Sequence, residues 1–138
     1  MQTWGIDAGA LVADMVPSIC VWREASGEGQ AGMEAVAWVI MNRMRRRQQT
    51  ASQVCLARWQ FSSMNAPGDP GMLHWPDADD PSFRQAWSAW SGVLNGTVAD
   101  PTSGADLYYA TSIQPPAWTA RATFLVQIGS QRFYRDAA

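Results

Sequence analysis

The stretch from residue 30 to 48 does most to limit how this chain can fold. Met33, Val36, Ala37, Ile40, Met41 and Met44 recur there at helical spacing, and Arg43, Arg45, Arg46 and Arg47 gather at its C-terminal end. A helix with such a stripe must cover it with another apolar element. The nearest partner in sequence is the run Met15, Val16, Ile19, Cys20 and Val21, which predicts a first helix through about residue 25. Pro17 fits the first turn of that helix, with Asp14 or Val16 near its cap, or else it kinks a longer one. Gly27 and Gly29 break the pattern, so the two helices should pack on each other with Glu24 at their junction. The arginine cluster reads as a solvated helix end favoured by the dipole. Attraction to an anionic cell envelope is the alternative.

Thr50 and Gln53 form a capping-box pattern that opens a short third helix through about Arg58. From Gln60 to Pro81 the chain is dense in Pro, Gly and Asp and reads as a long loop. Met72 and Trp75 inside it suggest something packed, such as one wall of a groove. Asp80-Pro81-Ser82 starts a fourth helix with Phe83, Ala86, Trp87, Trp90, Val93 and Leu94 on one face, and Asn95-Gly96 ends it. Trp87 and Trp90 are core by spacing. After the turn cluster Asp100-Pro101-Thr102-Ser103-Gly104, residues 107–110, 123–126 and 132–134 read as strands, with Pro115-Pro116-Ala117-Trp118 an exposed linker between them. The expectation is one α+β domain over residues 1–138, mainly helical with a short C-terminal β-sheet.

Composition removes several function classes. Net charge is −2, which gives no footprint for bulk nucleic-acid binding. All ten basic residues are arginine, a pattern of GC-rich coding rather than chemistry. One histidine, His74, and two cysteines, Cys20 and Cys55, cannot build a His-rich hydrolytic zinc site, so no metal or cofactor is expected. Cys20 and Cys55 lie in apolar patterns and read as two buried thiols, although spacing leaves a bridge open. No segment reaches membrane-spanning length, so stable membrane insertion is not expected. Asp7 and Asp14 stand where a secretion signal would carry basic residues. The expected place of synthesis is therefore the cytoplasm.

Two of the three glutamates, Glu24 and Glu28, sit in Trp22-Arg23-Glu24-Ala25-Ser26-Gly27-Glu28. A carboxylic acid at the end of a buried helix suits acid catalysis, because the negative end of the dipole and apolar neighbours disfavour the ionised form. The bland reading is a helix end with two solvated acids. Eight tryptophans serve either a tight core or a groove of rings for flat ligands such as sugars.

Glu24-Ala25-Ser26-Gly27-Glu28, then Gly32 with Ala35-Val36-Ala37 and Asn42-Arg43, resembles the catalytic domain of spore-cortex-lytic enzymes, the SleB-type cell-wall hydrolases. Gln60-Phe61-Ser62, Asp100 to Ala105 followed by Tyr108-Tyr109, and Ile128-Gly129 followed by Phe133-Tyr134 fall in the same order, so the likeness spans about residues 10–135. One departure is Gln131, where the family usually has His. The resemblance implies a small lysozyme-like α+β domain that cleaves peptidoglycan glycan strands, with Glu24 as the catalytic acid. Some relatives carry an amidase label, which the scarcity of zinc ligands argues against.

Cleaving a glycosidic bond needs a proton on the leaving oxygen, and the usual hydrolytic scheme needs a second carboxylate across the sugar ring. Glu28, Asp69, Asp77, Asp79, Asp80 and Asp100 are the available acids, and none has a compelling position. A lytic transglycosylase avoids the need, because the C6 hydroxyl of muramic acid attacks in place of water. Glu28 then supports, by fixing a loop or by repelling the charge of Glu24. Gln60, Ser62 and Tyr108 are candidate groove-lining polar residues, and Trp75 and Trp118 candidate platforms for sugars. The expected protein is a monomeric phage endolysin reaching the wall through a holin-type pore. The rivals are a hydrolytic muramidase and a non-catalytic peptidoglycan-binding or virion structural protein.

Overall fold

Helix α1 runs from Ala8 to Ala25 and carries Pro17 in its interior, so of the two readings of that proline the longer helix holds. The computed structural model describes residues 8–58, 60–77 and 79–137; Asp7 and the rest of the leading segment lie outside the described residues. Pro17 is buried, and next to it Ser18 Oγ donates to the carbonyl of Asp14 at 2.7 Å, one turn back. A single 3-10 turn, Ser26–Glu28, follows, and Gly29 takes φ +75 so that the chain doubles back at once. Few residues other than glycine hold that conformation cheaply.

Helix α2, Gly29–Arg47, is buried on opposite faces. Met33, Val36, Ala37 and Ile40 join Cys20, Val21, Phe61 and Trp90 in the main core, while Ala35 and Val39 meet Ala105 and Phe133 beneath the sheet. A central helix is apolar nearly all round for this reason. Its basic end is not simply solvated. Arg43 is only 4% exposed; its Nε donates to the Asp106 carbonyl at 2.7 Å and its guanidinium lies over Phe61. Arg45 stacks over Trp38 and Arg46 pairs with Asp106.

Helix α3, Ala51–Leu56, opens with the capping box expected of Thr50 and Gln53. The stretch read as a loop contains helix α4, Ser62–Asn65, and a 3-10 turn at Pro70–Leu73. Helix α5, Pro81–Leu94, is capped by Asp80, whose carboxylate accepts the Ser82 N–H at 2.9 Å. It packs across α1 and α2 through Ala86, Ala89, Trp90 and Val93. Trp90 is core, whereas Trp87 is half-buried and edge-on to Phe83.

Strands β1 (Leu107–Ala110), β2 (Thr123–Ile128) and β3 (Gln131–Arg135) form an antiparallel sheet in the order β1-β3-β2. The chain is thus mostly helical with a small C-terminal sheet. The Asp100 turn ties β1 to α2: Asp100 accepts from the N–H groups of Thr102 and Gly104, from Thr102 Oγ1 and from Asn42 Nδ2, at 2.6–3.0 Å. Asn42 also donates to the Ala105 carbonyl. Two residues later the chain enters β1, so this turn sets where Tyr108 stands.

Candidate active site

Glu24 occupies the last turn of α1, where the helical hairpin, the α4 segment and the sheet meet. Its two carboxylate oxygens have separate partners. Oε2 accepts from Ser63 Oγ at 2.6 Å and Oε1 from Tyr108 Oη at 2.5 Å. Ser63 comes from α4 and Tyr108 from β1, so three elements far apart in sequence converge on one acid. Both partners are hydroxyls, which donate to a carboxylate and can turn to accept from a carboxylic acid. Glu24 can therefore hold or release a proton without losing its neighbours. Burial first, and then the negative charge of Glu24, push the Tyr108 hydroxyl well above the usual phenol range. Tyr108 is a neutral donor at any ordinary pH.

Glu24 opens into a cleft of about 470 Å³. Gln60, Ser62, Tyr108, Arg43 and Gln131 give it polar groups, while Ala66, Ala110, Ile113 and Pro116 give it apolar ones. Gln60 accepts from Arg47 Nη1 at 3.2 Å. Gln131 Nε2 reaches the backbone carbonyl of Glu24 at 3.4 Å. Among the described residues, Glu24 is the one carboxylate that lines the cleft.

Glu28 lies elsewhere. It accepts from Ser130 Oγ, and a Cβ at Gly129 would stand 3.0 Å from Glu28 Oε2. A Cβ at Gly32 would meet Glu28 Cβ at 2.3 Å. The side chain is wedged between α2 and the β2–β3 turn, and it holds that turn one residue before Gln131. These contacts place Glu28 against the β2–β3 turn and not in the lining of the Glu24 cleft. Most of the other candidate acids have structural partners too. Asp69 and Asp80 cap local turns, Asp79 pairs with Arg84, Asp100 organises its own turn, and Asp77 is exposed.

The structure brings Glu24, Gln60, Ser62 and Tyr108 to one cleft but leaves both tryptophans out of its lining. Trp75 is not the packed wall that the loop composition suggested. It is 66% exposed, with the Arg23 guanidinium 4.6 Å from its ring centre. Trp118 is half-buried, edge-on to Tyr109 and Tyr134, and lines a separate depression with Leu107 and Arg121. Ser63 was missed: nothing in Ser62-Ser63 says which hydroxyl turns inward. His74 packs edge-on against Trp22 at 4.6 Å rather than standing free. Cys20 and Cys55 are free and buried. Burial, and Cys55 beside it, push the Cys20 thiol well above its usual range. Among the described residues, no group of three or more His, Cys, Asp and Glu side chains is placed to hold a metal ion.

Fold and site together define a class: a mainly helical domain with a small C-terminal sheet, whose cleft carries, among the described residues, one carboxylate held by two hydroxyls. The chain belongs to the Cell Wall Hydrolase family, whose model matches residues 27–134. Glu24 falls just before that span. The fold is similar to the crystal structure of the catalytic domain of the Bacillus cereus SleB protein, at TM-score 0.73 and 23% identity over 98% of each chain. It is also similar to the catalytic domain of the germination-specific lytic transglycosylase SleB from Bacillus anthracis, at TM-score 0.72 and 23% identity, covering 98% of this chain and 100% of that one. No curated protein matches the chain in sequence.

Proposed function

We propose that this chain is a peptidoglycan-degrading lytic transglycosylase that cleaves the bond between N-acetylmuramic acid and N-acetylglucosamine, with Glu24 as its acid and base. The observation that carries the reading is that, among the described residues, the cleft has one carboxylate, Glu24, held by Ser63 and Tyr108. Glu24 donates its proton to the glycosidic oxygen as the bond to the anomeric carbon breaks. The C6 hydroxyl of the same muramic acid closes on that carbon and returns its proton to Glu24. No second carboxylate is needed, because the nucleophile is part of the bound sugar and its effective concentration exceeds that of a passing water. The two hydroxyl partners suit an acid that changes protonation state twice in one turnover. The family and the transglycosylase named in the Bacillus anthracis structure support this assignment.

We further propose that the protein works as a monomeric phage endolysin, made in the host cytoplasm and released to the wall through a holin-type pore. Among the described residues no helix is long and apolar enough to cross a membrane. Trp75, exposed beside Arg23, remains a platform for a sugar further along the strand.

Digestion of purified sacculi followed by mass analysis tests the chemistry. The expected products end in 1,6-anhydro-N-acetylmuramic acid. Reducing N-acetylmuramic acid, heavier by one water, would establish a muramidase instead. Free stem peptides would establish an amidase, and intact sacculi with retained binding a non-catalytic protein.

A further inference from the structure

The depression beside Trp118 is separate from the Glu24 cleft and measures about 470 Å³. Leu107, Trp118 and Ala137 give it apolar walls, and Arg121 and Asp136 give it one charge of each sign. Local geometry brings these groups together. The Arg121 N–H closes the 3-10 turn Ala117–Ala120 on the Trp118 carbonyl at 3.0 Å. Residues three apart in such a turn eclipse, which puts the indole and the guanidinium on one side. Arg121 is exposed, and among the described residues its guanidinium has no hydrogen-bond or ion-pair partner. Leu107 and Tyr109 lie two apart on β1 and share a face of the sheet; Leu107 lines the depression and Tyr109 the cleft. Two strand residues span about 7 Å, so the depression begins one such step from the cleft.

We propose that this depression holds a peptide stem carried by the bound glycan strand, Arg121 receiving a peptide carboxylate and Asp136 a peptide N–H. The inference rests on the glycan-cleaving reading and adds a non-catalytic contact outside the Glu24 cleft. A guanidinium takes a carboxylate through two parallel N–H donors. A carboxylate has several lone pairs, so Asp136 can accept an amide N–H beside any partner it already has. Leu107 and Ala137 suit the methyl groups of small peptide residues. A neutral sugar fits badly, because it leaves Arg121 without an anion and Trp118 already has two tyrosine rings edge-on to it. A bare anion fits badly too, since it meets Asp136 with a like charge and no donor. An extended dipeptide covers about 7 Å, so a stem rooted on a sugar in the cleft reaches Arg121 with its first few residues. The strand is then read in two places, its bond at Glu24 and its peptide at Arg121.

The test uses Glu24→Gln protein, so that binding is read without cleavage. Its affinity for a four-sugar strand fragment bearing stem peptides, and for the same fragment stripped of them, is measured by calorimetry with and without Arg121→Gln. Loss of one charge-assisted contact predicts that Arg121→Gln weakens the peptide-bearing fragment about tenfold and the stripped one by less than about twofold. Arg121 is exposed, so the variant should fold, and Arg121→Lys, which keeps the charge, should recover most of the loss. Equal losses on both fragments, equal affinity of the parent protein for the two, or no binding of the peptide-bearing fragment would each overturn the proposal. Wild-type digestion is scored separately. Intact and peptide-stripped walls cleaved at equal KM sink this inference alone, whereas inert walls sink the functional reading and leave the calorimetry to decide the peptide site.

Discussion

At the scale of single residues, Glu24 and Glu28 separate by what their oxygens touch. Glu24 meets two hydroxyls at a cleft, while Glu28 is wedged under a turn. Glu24→Gln should keep the melting temperature within a few degrees while activity on cell walls falls by at least about a hundredfold, since an amide cannot transfer the proton. A folded variant retaining a tenth of wild-type activity would remove Glu24 from the mechanism. Glu28→Ala should act through stability, costing about 1–2 kcal/mol by releasing the Ser130 turn, and activity should fall with it. Thermal unfolding beside an activity assay distinguishes the two. The convergence of Glu24, Gln60, Ser62 and Tyr108 on one cleft was legible because polar residues flanking helix and strand ends have few places to go. Trp75 and Trp118 were not, since an aromatic ring in a Pro-rich stretch packs on whatever arrives; here the arrivals are Arg23 and two tyrosines. Arg43 read as one of four solvated arginines because a helical count cannot see that the Asp106 carbonyl and the Phe61 ring would come to meet it.

At the scale of elements, the joint between α1 and α2 has the least room. Gly32→Ala places a methyl 2.3 Å from Glu28 Cβ, which is not a flexible tip that can step aside. The variant should lose about 1–3 kcal/mol, as overpacked sites do, visible as a lowered urea midpoint. Asp80→Ala removes the cap of α5 and should cost about 1 kcal/mol without touching the cleft, so activity per folded molecule stays unchanged. Helix and strand positions were readable in advance wherever caps and periodicity agreed, as at Thr50, Asp80 and Asn95. The stretch from Gln60 to Pro81 was not. Helix α4 is four residues long, too short for a period, and it exists because Phe61 is drawn into the core and Ser63 toward Glu24.

At the scale of the whole molecule, stability should fall at both ends of the pH range for different reasons. Burial raises the Asp100 carboxyl, but bonds from Thr102, Asn42 and Gly104 outweigh it and leave the group below its ordinary 3.8. Its folded value is depressed, so its contribution is present above about pH 4 and is lost as the pH falls below that. Asp100→Asn should flatten the acid limb of a stability-versus-pH curve. Tyr108 is the opposite case. Its folded value is raised, so its contribution is complete below about pH 10 and disappears as the pH climbs through the folded value. Tyr108→Phe should extend the alkaline limb while lowering activity roughly tenfold through the lost bond to Glu24. An alkaline limb identical to wild type would show that Tyr108 does not feel its surroundings as described.

Arg23, the residue next to Glu24, fastens the segment from α4 to His74 onto the last turn of α1. Its guanidinium donates to the backbone carbonyls of Ser63, Met72 and His74, with the Met64 sulfur alongside. Carbonyls belong to every amino acid, so the grip does not depend on which side chains the segment carries. The segment is therefore free to vary in composition while its path stays pinned to the same turn of α1. Its residues can be replaced one by one, with the spacing between the segment and Glu24 preserved by an anchor that reads only the main chain.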